Sequence, residues 1–99
     1  MLRISIEFFA EQELHQATDY YDNQQLGLGT EFSIIAKDTF KQIAKSPDTW
    51  QLVKGKIHRC RMSRFPYFVY YRFDDECAYI LAISHDKRRP FYWVDRLSQ

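Results

Sequence analysis

Residues 2–8, Leu-Arg-Ile-Ser-Ile-Glu-Phe, alternate apolar and polar side chains. Leu2, Ile4, Ile6 and Phe8 fall on one side, the pattern of a half-buried strand facing a core. From Ala10 the period lengthens. Ala10, Leu14, Ala17 and Tyr21 share one helical face, while Glu11, Gln12, Gln16 and Asp19 fall elsewhere. Gly27 and Gly29 break this helix. Phe32, Ile35, Thr39 and Ile43 then stand at helical spacing and predict a second helix. Ser46-Pro47-Asp48 ends it, because the residue before a proline disfavours the α conformation. Two helices joined by a short glycine-containing link predict an antiparallel hairpin.

The remainder reads as strands. Ile57–Met62 is one. Tyr67–Phe73 is the next, with Tyr67, Val69, Tyr71 and Phe73 on one face. Asp74-Asp75-Glu76 turns the chain, and Cys77–Ser84 follows, apolar almost without interruption and so expected to be covered on both faces. Pro90 opens a final helical turn through Phe91–Leu97. The predicted fold is α+β with the order β-α-α-β-β-β: a helix hairpin packed on one face of a mostly antiparallel four-stranded sheet. The opposite face, rich in arginine and tyrosine, is expected to stay open to water or a partner. Residues 1–99 form one domain, since the length leaves no room for a second.

Composition changes this picture in two places. The net charge is only +1, yet residues 1–50 carry four Lys/Arg against eight Asp/Glu, and residues 51–99 carry ten against five. The basic C-terminal half favours an acidic partner, either nucleic acid or an acidic protein segment. Ten of the 17 aromatic residues also lie between Phe65 and Trp93, in that same half. Cys60 and Cys77 lack the spacing of a redox or zinc pair, which predicts a cytoplasmic protein with reduced thiols. His15, His58 and His85 are scattered and make no ligand set, so neither a metal nor a cofactor is expected. No apolar run approaches membrane-spanning length.

Several local patterns, taken in order, resemble the RelE/ParE superfamily of toxins from type II toxin–antitoxin modules, and its ParE branch more closely. They are Ala10-x-x-x-Leu14-x-x-Ala17-x-x-Tyr20-Tyr21; Gly29 with Phe32, then Ile43 and Pro47; Arg59; Arg64-Phe65-Pro66-Tyr67; and His85-x-x-Arg88-x-Pro90-x-x-Trp93-x-x-Arg96. The resemblance spans essentially the whole chain. It implies the toxin half of a two-gene, plasmid-stabilisation-type module from a bacterium, held in check by a cognate antitoxin protein. ParE-like members inhibit DNA gyrase without making or breaking a bond. RelE-like members cut messenger RNA on the ribosome.

Cleavage through the 2′-hydroxyl needs a proton acceptor, cations against the phosphorane charge, and an acid for the leaving oxygen. For that chemistry the candidates are His85 and Tyr92 as proton carriers, with Lys56, Arg59 and Arg88 as cations; Lys54, Arg61, Arg64, Lys87 and Arg89 are further basic residues in reach of the role. One departure counts against it. RelE-like sequences commonly carry an arginine directly after the aromatic that opens the central strand, and here Phe68 follows Tyr67. The leading reading is therefore a ParE-like toxin acting by protein binding. An endoribonuclease is the alternative, and a degenerate toxin that keeps only antitoxin binding is the third.

Each candidate also has a plainer role. His85 can anchor the tail through hydrogen bonds to backbone. Arg59 can form an ion pair with the helical layer. Trp93 and Phe91 are expected to dock the tail on the sheet, with a protruding hot-spot role for Trp93 as the alternative. Lys87-Arg88-Arg89 can be a solvated turn. Phe68 and Tyr70 are expected to face outward, where exposed aromatics invite burial. The partner-binding set expected is Arg59, Arg64, Phe68, Tyr70, Arg88, Arg89 and Trp93.

Overall fold

The computed structural model describes residues 1–98. Strand β1 spans Arg3–Ile6, helix α1 Phe8–Gln24, helix α2 Leu28–Lys45, β2 Gln51–Lys54, β3 Ile57–Arg61, β4 Tyr67–Phe73 and β5 Cys77–His85, before a 3₁₀ turn at Val94–Ser98. The sheet has five strands in the order β1-β5-β4-β3-β2. β1 runs parallel to β5, and every other pair is antiparallel.

The strand count corrects the four expected. The added strand, β2, pairs only with β3, and its residues are exposed apart from a half-buried Val53. An edge strand that buries almost nothing leaves no apolar alternation to detect. Gly55, at φ 54°, turns the chain from β2 into β3. The first strand is also shorter than its pattern. Glu7 caps α1, and Phe8, expected to point into the core, is a helical residue that is 66% exposed.

The helix hairpin covers one face of the sheet. Ala10, Leu14 and Ala17 of α1 and Phe32, Ala36, Phe40 and Ile43 of α2 are buried against Cys60, Val69, Tyr71, Ala78, Ile80 and Ile83. Phe65 stacks edge-on to Tyr21 and Phe32, with centroids 4.8 and 5.1 Å apart. The Arg64-Phe65-Pro66-Tyr67 turn is therefore partly a packing device. Arg64 takes the left-handed φ of 67° there, a conformation that costs a non-glycine residue energy.

Gly29 does not break a helix, as the pattern had suggested. It lies within the first turn of α2, where the two helices touch. A Cβ at this position would sit 2.2 Å from the Thr18 carbonyl oxygen and 2.6 Å from Asp22 Cγ. The Gly29 amide instead donates to Asp22 Oδ1 at 2.7 Å. Gly29→Ala is expected to push the helices apart and cost about 1–3 kcal/mol, a fall on the order of 10 °C in thermal midpoint. Calorimetry checks this, and an unchanged midpoint would mean that the hairpin is not closely packed here.

The second face is not open along its centre. A register shift between Tyr70 and Tyr71 leaves Leu81 of β5 as an extra residue, so β5 presents both Leu81 and Ala82 to this side. The tail crosses it. Trp93 is fully buried with Ile57, Tyr70, Leu81 and Ala82, and Val53, Phe68, Tyr79, Tyr92 and Val94 pack around them. The expectation of an open face is thus corrected. The reason is simple: alternation tells which face a side chain takes, not what covers that face.

Candidate functional site

What holds the tail down is a carboxylate. Glu13 lies on the buried stripe of α1 and is only 9% exposed. Beyond Ile80 the outer edge of β5 has no strand beside it among the described residues, because β1 has already ended. Side chains finish that edge. Ile83 N–H donates to Glu13 Oε1 at 3.0 Å, and Arg96 Nη1 donates to the Leu81 carbonyl at 3.0 Å. Arg96 also grips Glu13 with both prongs, at 3.0 and 3.2 Å, and the Tyr92 hydroxyl donates to Glu13 Oε2. Unpaired edge groups and a buried charge would each be costly, and this cluster satisfies both at once. The sequence reading missed Glu13. Its signal was there: it follows Ala10 by three and precedes Ala17 by four, placing an acid on an apolar stripe.

Of the residues considered for RNA cleavage, some meet and some do not. Arg88 lies 3.7 Å over the Tyr92 ring and 3.7 Å from Glu13 Oε2. His85 and Arg88 line a cleft of about 230 Å³ with Glu13, Gln16, Ala17, Tyr20, Tyr67 and Ile83. Lys56 and Arg59 do not line this cleft. His85 pairs with Tyr67, while His58 pairs with Tyr71; four residues of strand separate them, about 13 Å at roughly 3.3 Å per residue. Lys56 lies beyond His58, in the β2–β3 turn.

The proton carriers are also engaged. Burial, and then the hydrogen bond to Glu13, push the Tyr92 hydroxyl well above the ordinary tyrosine range, so no phenolate forms near neutral pH. His85 Nδ1 lies 3.1 Å from the Lys87 amide and 3.3 Å from Asp86 Oδ1. Burial raises Tyr67 to about 12 and Cys60 to about 11, so both stay protonated near neutral pH.

The expected partner-binding residues are split between two faces. Arg59 stacks on Phe68 at 4.0 Å and donates to Gln51 at 2.9 Å, with Arg61 at 5.2 Å on the same ring. This corner stays partly exposed beside a groove lined by Leu52, Tyr70, Pro90 and Phe91. Arg64 lies on the helical side, paired with Glu31 at 3.3 Å. Arg89 is exposed in the turn after β5. Tyr70, expected to face outward, is 8% exposed beneath Trp93, whose ring centroid is 5.0 Å away. Trp93 itself is fully buried and presents no surface to a partner. Among the described residues no group of acids, histidines and cysteines could hold a metal ion, and no helix is long and apolar enough to cross a membrane.

No family model and no curated protein matches the chain in sequence. A solved structure does match in shape. A chain described as belonging to the chromosomal ParDE toxin–antitoxin system from P. aeruginosa superposes with a TM-score of 0.75 at 13% identity, covering 86% of this chain and 96% of that one. At this identity the likeness establishes the fold alone, a helix hairpin over a mostly antiparallel sheet.

Proposed function

We propose that the chain is the toxin of a type II toxin–antitoxin module, ParE-like, acting by protein binding: on its antitoxin, and on DNA gyrase as target. The observation that carries this reading is the near-complete structural match to a chain of a ParDE system, which agrees with the motifs in order along the sequence. The geometry supports binding over cleavage. Tyr92 and Arg96 are committed to Glu13, Lys56 lies in the β2–β3 turn beyond His58, and Arg59 does not line the cleft that holds His85 and Arg88. A protein partner suits the partly exposed Arg59–Phe68–Arg61 corner, because guanidiniums stacked on an aromatic ring pair well with carboxylates.

Expression in a bacterial host without the adjacent reading frame tests it. Growth arrest is expected, relieved by co-expressing that neighbour, with supercoiling by purified gyrase inhibited and transcripts intact. Transcripts cut on the ribosome, with cutting lost in His85→Ala and Arg88→Ala, would replace this reading by the nuclease one. Antitoxin binding without growth arrest would mark a degenerate toxin.

A further inference from the structure

We infer that the cleft between α1 and the end of β5 is a binding site for a single carboxylate, supplied by an acidic side chain of the antitoxin. The occupant rests on the function proposed above; the site rests on its own geometry. Around Glu13, one negative charge faces two guanidiniums. Arg96 takes that charge with both prongs, and Ile83 N–H and the Tyr92 hydroxyl take up the remaining capacity of the two oxygens. Arg88 is left over. Its one ionic contact among the described residues is 3.7 Å long and falls on a carboxylate that is already matched.

Arg88 is nonetheless held in place. It lies 3.7 Å over the Tyr92 ring, and its side chain is 53% exposed. A guanidinium that is oriented, accessible and short of acceptors presents a planar fork of donors fitted to a carboxylate. The cleft walls add the His85 ring and the Gln16 side chain, and Tyr20, 57% exposed, offers a ring for methylene groups to lie against. At about 230 Å³ the space suits one side chain, being below the roughly 300–1,000 Å³ usual for small-molecule pockets.

The same surroundings disfavour a nucleic-acid strand. The α1 wall of the cleft is Glu13, Gln16, Ala17 and Tyr20, with no lysine or arginine among them, and Asp86 lies beside His85, Oδ1 3.3 Å from Nδ1. A continuous run of phosphates would meet these acids, whereas one carboxylate reaching past them to Arg88 would not.

Two measurements decide it. The first is an NMR titration of the whole chain at constant ionic strength, in separate arms with N-acetylglutamate methylamide and dimethyl phosphate, following the His85 ring and Arg88 guanidinium signals. Saturable millimolar binding of the carboxylate probe is expected, weakened about tenfold or more in Arg88→Gln and unchanged in Lys41→Gln on the far helix. Linear shifts without saturation, equal binding by Arg88→Gln, or binding of dimethyl phosphate alone would overturn the carboxylate site. The second is the affinity for the adjacent-gene protein, expected to fall by at least about tenfold in Arg88→Gln. If the probe binds as expected but this affinity does not change, the antitoxin is not the occupant. If no such protein binds at all, the proposed function falls and the titration still judges the site. Arg88 is half exposed, so a well-dispersed spectrum of the variant will separate lost binding from lost folding.

Discussion

Trp93→Ala is expected to lower the thermal midpoint by about 12 °C or more, the largest effect of any single truncation in the tail. The ring is fully buried against Ile57, Tyr70, Leu81 and Ala82. Removing an aromatic side chain from such a place costs about 3–5 kcal/mol, because the cavity adds to the lost transfer energy. In a domain near 100 residues each kcal/mol moves the midpoint by about 4–8 °C. The sheet beneath cannot close the gap: β4 and β5 are paired on both sides of the bulge, and Tyr70 and Ala82 are partners in that ladder. Trp93→Phe is the informative partner. The indole Nε1 meets no acceptor among the described residues, so phenylalanine loses contacts but no hydrogen bond, and about 1–2 kcal/mol is expected. A fall below about 4 °C for Trp93→Ala would show that the tail is a loose cover. The sheet face would then be open to partners, and the binding surface would have to be redrawn.

The helical layer was legible in the sequence because both helices bury one stripe each. Leu14, Ala17, Phe32, Thr39 and Ile43 stand at the spacing that predicted their burial. β4 and β5 were legible for a related reason. Val69 and Tyr71 alternate toward the hairpin, and the unbroken apolar run of β5 reflects cover on both faces. β2 was not legible, since an exposed edge strand has no burial to imprint on its sequence. Gly29 was misread because a glycine that ends a helix and a glycine that lets two helices touch look alike in one dimension; Thr18 and Asp22 decide between them.

The site was less legible than the fold, and the arginines show why. Arg59, Arg64, Arg88 and Arg96 look equivalent along the chain. In space one stacks on Phe68, one ties the β3–β4 turn to Glu31 of α2, one is half used, and one closes a strand edge. Charge counts give the sign of a surface but not which charges are already neutralised within the fold. Long-range pairing through Glu13, some 70 to 83 residues distant in sequence from its partners, leaves no local pattern. The acid on the apolar stripe was the only trace.

Glu13→Gln is expected to destabilise the protein by about 3–5 kcal/mol, comparable to Trp93→Ala, though it removes no volume. The charge, not the shape, is what the cluster needs. Breaking a buried ion pair from one side leaves the other charge uncompensated, and Arg96, at 21% side-chain exposure, has little water to turn to. A glutamine amide keeps one acceptor oxygen for Ile83 N–H or Tyr92, but it sets NH₂ donors against the Arg96 guanidinium. Arg96→Met alone is expected to be costly for the mirror reason, leaving Glu13 with the weaker Arg88 contact at 3.7 Å. The combination Glu13→Gln with Arg96→Met should recover part of the loss, because neither charge is then stranded. A double-mutant cycle by urea unfolding is expected to return a coupling of about 1–3 kcal/mol. Losses that add to within about 0.5 kcal/mol would show that Glu13 and Arg96 act independently. In that case the tail is fastened by Trp93 alone, and Arg88 loses its reason for standing unmatched at the cleft.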